Sequence, residues 1–382
     1  MEWKEVRLGD ILNFRRGHDL PHSAMKPGNI PVAGSNGVIG YHDTATPIKP
    51  ILTIGRSGNV GKPYFYEEAW AHNTTLYVDD FKGNDPKFLY YLCQTMPFAN
   101  FGGGSAVPTL NRNHIHPLET KIPVKVEDQR RIASILSSLD RKIELNNKIN
   151  ADLEEMAQAI FKNWFVDFEP FKDGKFVDSE LGMIPEGWKV GRADDFYQIN
   201  IGKTPPRKEH KWFSNNPADK IWVSIANMGN SGIFISDSSE YLTKEAVDRH
   251  NIIMVPRNTI LLSFKLTVGR VAIADKELTT NEAIARFILS DDKYMEYLYL
   301  YLKNFDYNSL GSTSSIATAV NSKTIKGMQM LQPSDKIIDA FHIQVNPIFE
   351  KIRSLTKENS RLSLLRDTLL PRLMSGELEV PE

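Results

Sequence analysis

The sequence predicts an α+β protein with an internal repeat, in which two mixed α/β domains alternate with two long helices. Two observations predict this fold. Short motifs recur once in the same order along the chain, which is the signature of a duplicated unit. Each copy also ends in a long segment with apolar residues at heptad spacing, which is typical of a coiled coil.

The repeat has three parts that follow one another in register. The first part matches Trp3-Lys4, Arg7, Asp10 and Gly17 with Trp188-Lys189, Arg192, Asp195 and Gly202. The second matches Val60-Gly61-Lys62 and Asn73 with Val268-Gly269-Arg270 and Asn281. The third matches residues 105–111 and Ile115 with residues 315–321 and Ile325. The sequence separation between matched residues grows after Gly202, so the second copy carries an insertion before Gly269.

Each part of the chain is predicted from its residue pattern. The domains are expected at residues 1–124 and 188–333, the helical segments at 125–166 and 334–376 (the latter with the C-terminal tail), and a linker at 167–187. The linker is rich in glycine, proline and acidic residues. Within the domains, residues 51–54 and 259–262 are predicted strands, and residues 88–92 and 294–302 are predicted helices.

The helical segments carry two heptad positions each. In the first segment one position holds Ile132, Leu139, Leu153 and Ile160, and the other holds Leu136, Ile143, Ala157 and Trp164. In the second segment one position holds Ile338, Val345 and Ile352, and the other holds Phe341, Ile348, Leu355, Leu362 and Leu369. Polar residues interrupt these positions at Asn146, Asn150 and Asn359, where they are expected to fix register. A helix of about 40 residues is roughly 60 Å long, so it is interpreted as a spacer. The alternative is an ordinary helical hairpin, which would have the same seam.

Composition limits the function classes. The single cysteine excludes a disulfide framework and a multi-cysteine zinc site. The charged N-terminus and the lack of long apolar runs predict a soluble, cytoplasmic protein. The net charge of −1 argues against nucleic-acid binding by the surface as a whole, although a local basic patch would suffice.

Catalytic motifs are missing from the sequence. Residues 55–62 resemble a phosphate loop, but Pro63 stands where a Mg²⁺-binding hydroxyl is required. His114 and His116 have no third metal ligand nearby, and they are interpreted as polar loop residues. No methyltransferase tetrapeptide, nucleophile elbow or zinc-protease motif is found. A single-chain enzyme is therefore hard to support. The main hypothesis is a non-catalytic DNA-reading protein, and the other alternative is a coiled-coil scaffold that binds proteins without reading DNA.

DNA reading requires loop donors and acceptors for bases and cations for phosphates. In the first domain the candidates are Arg15, Arg16, Asn36, Arg56, Ser57, Asn59, Lys62, Asn73 and Arg112. In the second domain they are Lys203, Arg207, Lys208, His210, Lys211, Asn227, Lys265, Arg270 and Lys323. The cluster at 203–211 lies in the segment where the two copies differ in length, which is where a difference in specificity is expected. Each single residue could also be an ordinary solvated loop side chain.

Several longer motifs occur along the chain, namely WKEVRLGDI, LGMIPEGWKV, EDQRRIASILSSLDRKIELNNKI, IFKNWFVDF and LLPRLMSGEL. Together they resemble the specificity subunit of type I restriction-modification systems, and the resemblance covers almost the whole chain. It implies two target-recognition domains that each read one half of a split DNA sequence. It also implies an antiparallel helix pair that holds the halves about one helical turn apart.

The same resemblance implies partners and cofactors. Two modification subunits would methylate adenine with S-adenosylmethionine, and two ATP-driven restriction and translocase subunits would complete the enzyme, with Mg²⁺. None of these cofactors is expected in this chain. Partner docking is assigned to the aromatic end of the first helix, namely Phe161, Trp164, Phe165 and Phe168. The second helix departs from the first there, with Pro371-Arg372-Leu373 in place of Lys162-Asn163-Trp164.

Overall fold

A computed structural model describes residues 1–102, 108–230, 232–310 and 320–381. The chain forms two compact units: unit 1 comprises Met1–Leu145 with Asn359–Glu382, and unit 2 comprises Asn146–Glu358. Residues 105–107 and 315–319, which belong to the third part of the predicted repeat, lie outside the described residues.

Unit 1 contains the first α/β domain. Its strands are β1 Trp3–Arg7, β2 Asn13–Arg16, β3 Ile30–Gly34, β4 Gly37–His42, β5 Ile51–Gly55, β6 Pro63–Tyr66, β7 Trp70–Ala71, β8 Thr75–Asp80 and β9 Glu119–Pro123. Its helices are α1 Leu8–Ile11, α2 Pro86–Thr95 and α3 Arg112–Ile115, followed by the long helix α4 Val126–Phe165, which continues into unit 2. The main sheet has the order β2-β8-β5-β6, and β1 pairs with β9.

Unit 2 contains the second α/β domain. Its strands are β10 Phe176–Val177, β11 Ile184–Pro185, β12 Lys189–Arg192, β13 Gln198–Ile201, β14 Phe213–Ser214, β15 Lys220–Val223, β16 Phe234–Ile235, β17 Tyr241–Leu242, β18 Ile260–Ser263, β19 Val271–Ala274, β20 Thr279–Thr280, β21 Ile284–Ile288 and β22 Gln329–Gln332. Its helices are α5 Ala193–Phe196, α6 Ile225–Asn230, α7 Lys244–Arg249, α8 Met295–Asn304 and α9 Ser322–Lys326, followed by α10 Asp335–Met374, which continues into unit 1.

The two domains share one frame. The main sheet of unit 2 has the order β13-β21-β18-β19-β16, so its first four strands repeat β2-β8-β5-β6 of unit 1. The pair β12-β22 likewise repeats β1-β9. The short helices α3 and α9 are capped in the same way, because the side chains of Asn111 and Asn321 accept backbone N–H groups of the first turn. The predicted internal repeat is confirmed.

A glycine at one repeated position explains part of the sequence match. An added Cβ atom would lie 2.1 Å from the His72 carbonyl oxygen at Gly17 and 1.9 Å from the Asn281 carbonyl oxygen at Gly202. Only glycine allows so close an approach between neighbouring backbones.

The long helices run antiparallel within each unit. In unit 1 Asp140 on α4 contacts Arg366 on α10, with 2.8 Å between the carboxylate and the guanidinium. Arg131, earlier on α4 in the same unit, contacts Pro381, which follows α10, at 3.3 Å. In unit 2 Asn146 on α4 contacts Glu358 on α10 at 2.9 Å, and Phe161 further along α4 contacts Phe341. Because the partner numbers change in opposite directions within each unit, the predicted antiparallel pairing is confirmed.

Each long helix ends inside the unit that it enters. Phe161 and Phe165 at the end of α4 belong to the apolar core of unit 2. Leu370 and Met374 at the end of α10 belong to the core of unit 1, among residues of α1, β5 and α2. Gly376 then packs beside the ring of Trp3, where an added Cβ would lie 2.8 Å from the indole. Among the described residues no helix has the length and apolarity needed to cross a membrane.

The local predictions hold with small shifts. The strand and helix predicted for 51–54 and 88–92 are β5 Ile51–Gly55 and α2 Pro86–Thr95. Helix α2 begins at Pro86, because the Asp85 carboxylate caps it by accepting the Phe88 N–H and a proline at the first helical position needs no N–H donor. The loop predicted at His114 is wrong, because this residue lies in α3, and His116 follows directly as the helix ends. The Nε2 atom of His116 accepts the Phe14 N–H at 3.1 Å, so this histidine supports the fold.

Candidate nucleic-acid interface

Four predicted contact residues of unit 1 line one concavity. Arg15, Arg16, Arg56 and Arg112 surround a surface depression of about 430 Å³ together with Thr109 and neighbouring residues. They come from separate parts of the sequence, and the fold brings them together. Such a group of guanidinium donors at one opening can bind phosphates and the acceptor edge of guanine.

The main sheet positions these arginines. Arg15 and Arg16 lie on β2, and Arg56 is the first residue after β5. Arg112 begins α3 and donates to the Phe14 carbonyl oxygen at 3.2 Å, which ties the helix to β2. Arg56 donates to the Asn73 carbonyl oxygen at 3.4 Å. The concavity is therefore held by hydrogen bonds to the backbone.

The concavity keeps a positive charge, which two aspartates outside its lining balance only in part. Arg15 pairs with Asp79, and Arg16 lies 3.8 Å from Asp19, while both guanidinium side chains are more than half exposed. Burial lowers the pKa of Arg56, and repulsion from Arg16 lowers it further. An anion placed between these two cations would relieve that repulsion.

The other predicted contacts of unit 1 are dispersed. Ser57 bridges to Thr109 at the rim of the concavity through its backbone, and Asn73 donates its side-chain amide to Asp19. Asn59 and Lys62 are exposed on the loop after β5, and the Lys62 ammonium lies 5.4 Å from the Tyr64 ring centre. Asn36 is exposed in the β3–β4 turn and does not line this concavity.

Unit 2 places different residues at the equivalent positions of its frame. The repeat aligns the four arginines of unit 1 with Asn200, Ile201, Phe264 and Ser322. Phe264 is buried, with 1% of its surface exposed. The same strands and helix start therefore present an arginine cluster in one unit and none at those positions in the other.

The inserted segment that contains residues 203–211 supplies cations in unit 2, but several of these cations are engaged in contacts within the chain. Arg207 donates to both carboxylate oxygens of Glu240 at 2.7 and 2.8 Å, and its guanidinium lies over the rings of Phe213 and Trp222. Lys203 donates to the His250 carbonyl oxygen at 2.6 Å. Such contacts stabilise the loop and leave these cations less available for DNA.

The remaining cluster residues are more open. Lys208 and His210 are exposed, and Lys211 lies 4.4 Å from the Trp212 ring centre and 3.5 Å from the Glu209 carboxylate. Lys208 is therefore the better probe of DNA contact in this segment.

Two further predicted contacts of unit 2 have structural roles. The Asn227 side chain accepts both the N–H and the hydroxyl of Ser224 and donates to Ser239. Arg270 donates to the Ile225 carbonyl oxygen at 2.8 Å, which fixes α6 to the start of β19. Lys265 is exposed on the loop between β18 and β19, and Lys323 is exposed on α9.

Two of the four aromatic residues predicted to dock a partner are buried in the chain itself. Phe161 and Phe165 expose only 3% and 5% of their surface, because their rings pack in the core of unit 2. Trp164 and Phe168 are half-buried, and Phe168 has a left-handed backbone with φ of 53°. Heptad spacing could not distinguish a core ring from a docking ring.

The long helices expose apolar side chains that the sequence interpretation missed. Met156 on α4 and Leu365 on α10 occupy equivalent positions of the repeat and are 54% and 46% exposed. Each unit therefore carries one exposed apolar side chain at this repeated position of its long helix.

The predicted polar positions of the helices differ in environment. Asn146 is fully buried and donates its side-chain amide to the Glu358 carboxylate at 2.9 Å. Asn150 and Asn359 are half-buried. Glu358 was not predicted as a member of this polar layer, because a charged residue next to the seam resembles any exposed helix residue.

The described residues contain no group of three or more histidine, cysteine or acidic side chains placed to hold a metal ion. The site residues of both units are thus donors, acceptors and cations. This arrangement can bind and read a polyanion, and no nucleophile paired with a base is evident among the residues assigned to it.

Comparison with known proteins supports one family over most of the chain. The model of the type I restriction modification DNA specificity domain matches twice, at residues 1–155 and 185–342. A type I restriction enzyme HindI specificity subunit of Haemophilus influenzae is 30% identical over 98% of this chain and 94% of its own length. A type I restriction enzyme MjaIX specificity subunit of Methanocaldococcus jannaschii is 32% identical over 78% of this chain and 70% of its own length.

A solved structure supports the fold. The S subunit of a type I restriction-modification system from M. genitalium aligns with a TM-score of 0.62, covering 98% of this chain and 96% of its own. Its sequence identity is 14%, so the likeness concerns the backbone arrangement alone. The predicted fold class is confirmed. With the double match of the family model and the full-length relative, the chain belongs to the specificity subunits of type I restriction-modification systems.

Proposed function

We propose that this chain reads a bipartite DNA target, with one half read by the α/β domain of each unit. The long antiparallel helices act as the spacer between the halves. The chain directs adenine methylation and DNA cleavage that partner subunits perform in the cytoplasm.

One observation carries the proposal more than any other. A shared frame holds four arginines around a concavity in unit 1, and the aligned positions of unit 2 hold Asn200, Ile201, Phe264 and Ser322. Duplicated domains with one fold and different surface chemistry are suited to the same task on different sequences. A general scaffold would have no need for such a change at the same four positions.

A binding assay with the modification subunit tests the reading of DNA. The target is first obtained by mapping methylated adenines in cells with and without the gene. We expect Arg56→Ala and Arg112→Ala each to weaken binding of the target duplex by about fivefold to a hundredfold, which corresponds to about 1–3 kcal/mol. If an arginine contacts only phosphate, the slope of log K against log salt concentration falls by about one and all sequences are affected alike.

The matched control is Lys121→Ala, because Lys121 is exposed on β9 in the same unit, beside Glu5, and away from the concavity. This variant should bind like the parent. Equal binding of target and unrelated duplexes by the unmodified complex would contradict DNA reading. It would favour the alternative function, a coiled-coil scaffold that assembles proteins.

The spacer has a separate test. Removal of one heptad from both long helices keeps the apolar seam and shortens each helix by about 10 Å. Because a base pair rises about 3.4 Å, the accepted gap should shorten by about three base pairs. Methylation mapping in cells that carry the shortened chain measures the gap, and an unchanged gap would contradict the spacer role.

The partners proposed are two modification subunits and two restriction subunits. S-adenosylmethionine, ATP and Mg²⁺ would be bound by those partners and not by this chain. The equivalent exposed residues Met156 and Leu365 are the docking points that best fit two copies of one subunit. Met156→Asp with Leu365→Asp should prevent assembly in size-exclusion chromatography, while either change alone should leave one partner bound.

A further inference from the structure

A leucine at the tip of one loop of unit 2 has an unusual environment. Leu266 lies between β18 and β19, is 99% exposed and has a left-handed backbone with φ of 61°. Its neighbours Lys265 and Thr267 are exposed as well. A branched apolar residue is doubly unfavourable there, since water surrounds its side chain and the left-handed backbone strains it.

The loop is held firmly in this conformation. The Gly269 N–H donates to the Ser263 carbonyl oxygen at 3.0 Å, and the Ser263 hydroxyl donates to the Thr267 carbonyl oxygen at 2.6 Å. Phe264 anchors the base of the loop, because it is buried and donates its N–H to the Ala283 carbonyl oxygen at 2.9 Å. Leu266 therefore projects from a loop whose conformation is fixed by hydrogen bonds.

The equivalent loop of unit 1 has the same turn with a different tip. There the Gly61 N–H donates to the Gly55 carbonyl oxygen at 2.7 Å, as Gly269 does to Ser263. Gly58 occupies the position of Leu266 with φ of 86°. The frame thus requires a left-handed residue at this tip, and glycine meets that requirement without strain. Unit 2 replaces it with a large apolar side chain.

The equivalent loop also indicates what the tip faces. In unit 1 it begins with Arg56, which lines the arginine concavity proposed to bind DNA. In unit 2 the tip carries Lys265 directly before Leu266, so a cation is available for a phosphate beside the apolar group. A single apolar projection next to a cation fits the groove of a duplex better than it fits the broad apolar patch of a protein partner.

We propose that Leu266 is an apolar wedge that unit 2 inserts at one base step of its half of the target, partly unstacking it. The proposal rests on the DNA-reading function proposed above. Leucine is among the side chains that serve as such wedges, and easily unstacked steps would be preferred at that place. This residue would then contribute to specificity without a hydrogen bond to any base.

The test uses Leu266→Gly in the full chain bound to the modification subunit, with a duplex that carries the mapped target. The duplex contains the fluorescent base 2-aminopurine in place of each adenine of the second half in turn. We expect binding to weaken about tenfold to a hundredfold, and the fluorescence increase at one step to disappear. The melting temperature should not fall, because glycine relieves the left-handed strain.

Two further variants serve as controls. Leu266→Met keeps an apolar side chain and should retain binding and the fluorescence change. Ile343→Ala removes a comparably exposed apolar side chain, 74% exposed on α10, and should bind like the parent. Unchanged binding by Leu266→Gly, or weaker assembly with the modification subunit in place of weaker DNA binding, would overturn the wedge. If the parent complex itself shows no target preference, the DNA-reading function fails instead.

Discussion

Asp275, which follows β19, is expected to be essential for the stability of unit 2. This aspartate is 3% exposed in its side chain, and three cations approach it: Arg353 at 3.1 Å, Lys357 at 3.2 Å and Arg257 at 3.4 Å. Two of these cations lie on the long helix α10. The carboxylate therefore joins the main sheet of unit 2 to its helix.

The expected cost of losing the carboxylate follows from the burial of Arg353. Its side chain is only 5% exposed, and its pKa is lowered by that burial. Nε of Arg353 and Oδ1 of Asp275 are close but lack hydrogen-bond geometry, so their attraction is electrostatic. Arg353 keeps Glu350 and Asn258 as partners at 2.6 and 2.7 Å. Removal of one partner from a buried pair costs about 3–5 kcal/mol, and we expect the lower end here.

Urea unfolding and calorimetry of the purified chain measure this effect. Asp275→Ala should lower the free energy of unfolding by about 3 kcal/mol and the melting temperature by roughly 6–12 °C. The double variant Asp275→Leu with Arg353→Met should recover most of the loss, because it removes both buried charges. Glu245→Ala, which breaks an exposed pair with Arg249 at 3.9 Å, is the control and should change little. A loss below about 1 kcal/mol for Asp275→Ala would refute the reasoning.

Two other substitutions and one labelling experiment have defined outcomes. Burial raises the pKa of Glu296, so the folded chain keeps this proton to higher pH than the unfolded chain does. Relative to the parent, Glu296→Gln should therefore gain stability in urea titrations as pH rises above about 4.5. A flat difference would contradict this. Gly202→Ala should destabilise unit 2 by more than about 2 kcal/mol in thermal unfolding, whereas Gly232→Ala, with open space around it, should not. Burial raises the pKa of the Cys93 thiol, so a thiol reagent should label it only after unit 1 unfolds; rapid labelling of the folded chain would contradict its burial.

The sequence predicted the frame because periodic and repeated signals are local. Trp3 with Gly17 and Trp188 with Gly202 mark the two copies, and the heptads mark α4 and α10. The resemblance to a family then added the antiparallel pairing. Each of these features depends on residue type and spacing alone.

The site was harder to predict, because the neighbours of a cation decide its role. Arg56 and Arg207 look alike in sequence, since each is a loop cation among polar residues. The fold puts Arg56 in a concavity with three other arginines and presses Arg207 against Glu240 and two aromatic rings. The role of Leu266 could not be predicted from the sequence, because its neighbours along the chain indicate neither its exposure nor its left-handed backbone angle.

The course of the two long helices has a consequence for the newly synthesised chain. Residues 146–358 contain every part of unit 2, whereas the core of unit 1 also needs Leu370, Leu373 and Met374. During synthesis, all residues of unit 2 are therefore made before the last residues of unit 1. Until Leu370, Leu373 and Met374 are synthesised, the first domain exposes the apolar surface that these residues cover in the folded chain, and such exposed surface favours aggregation.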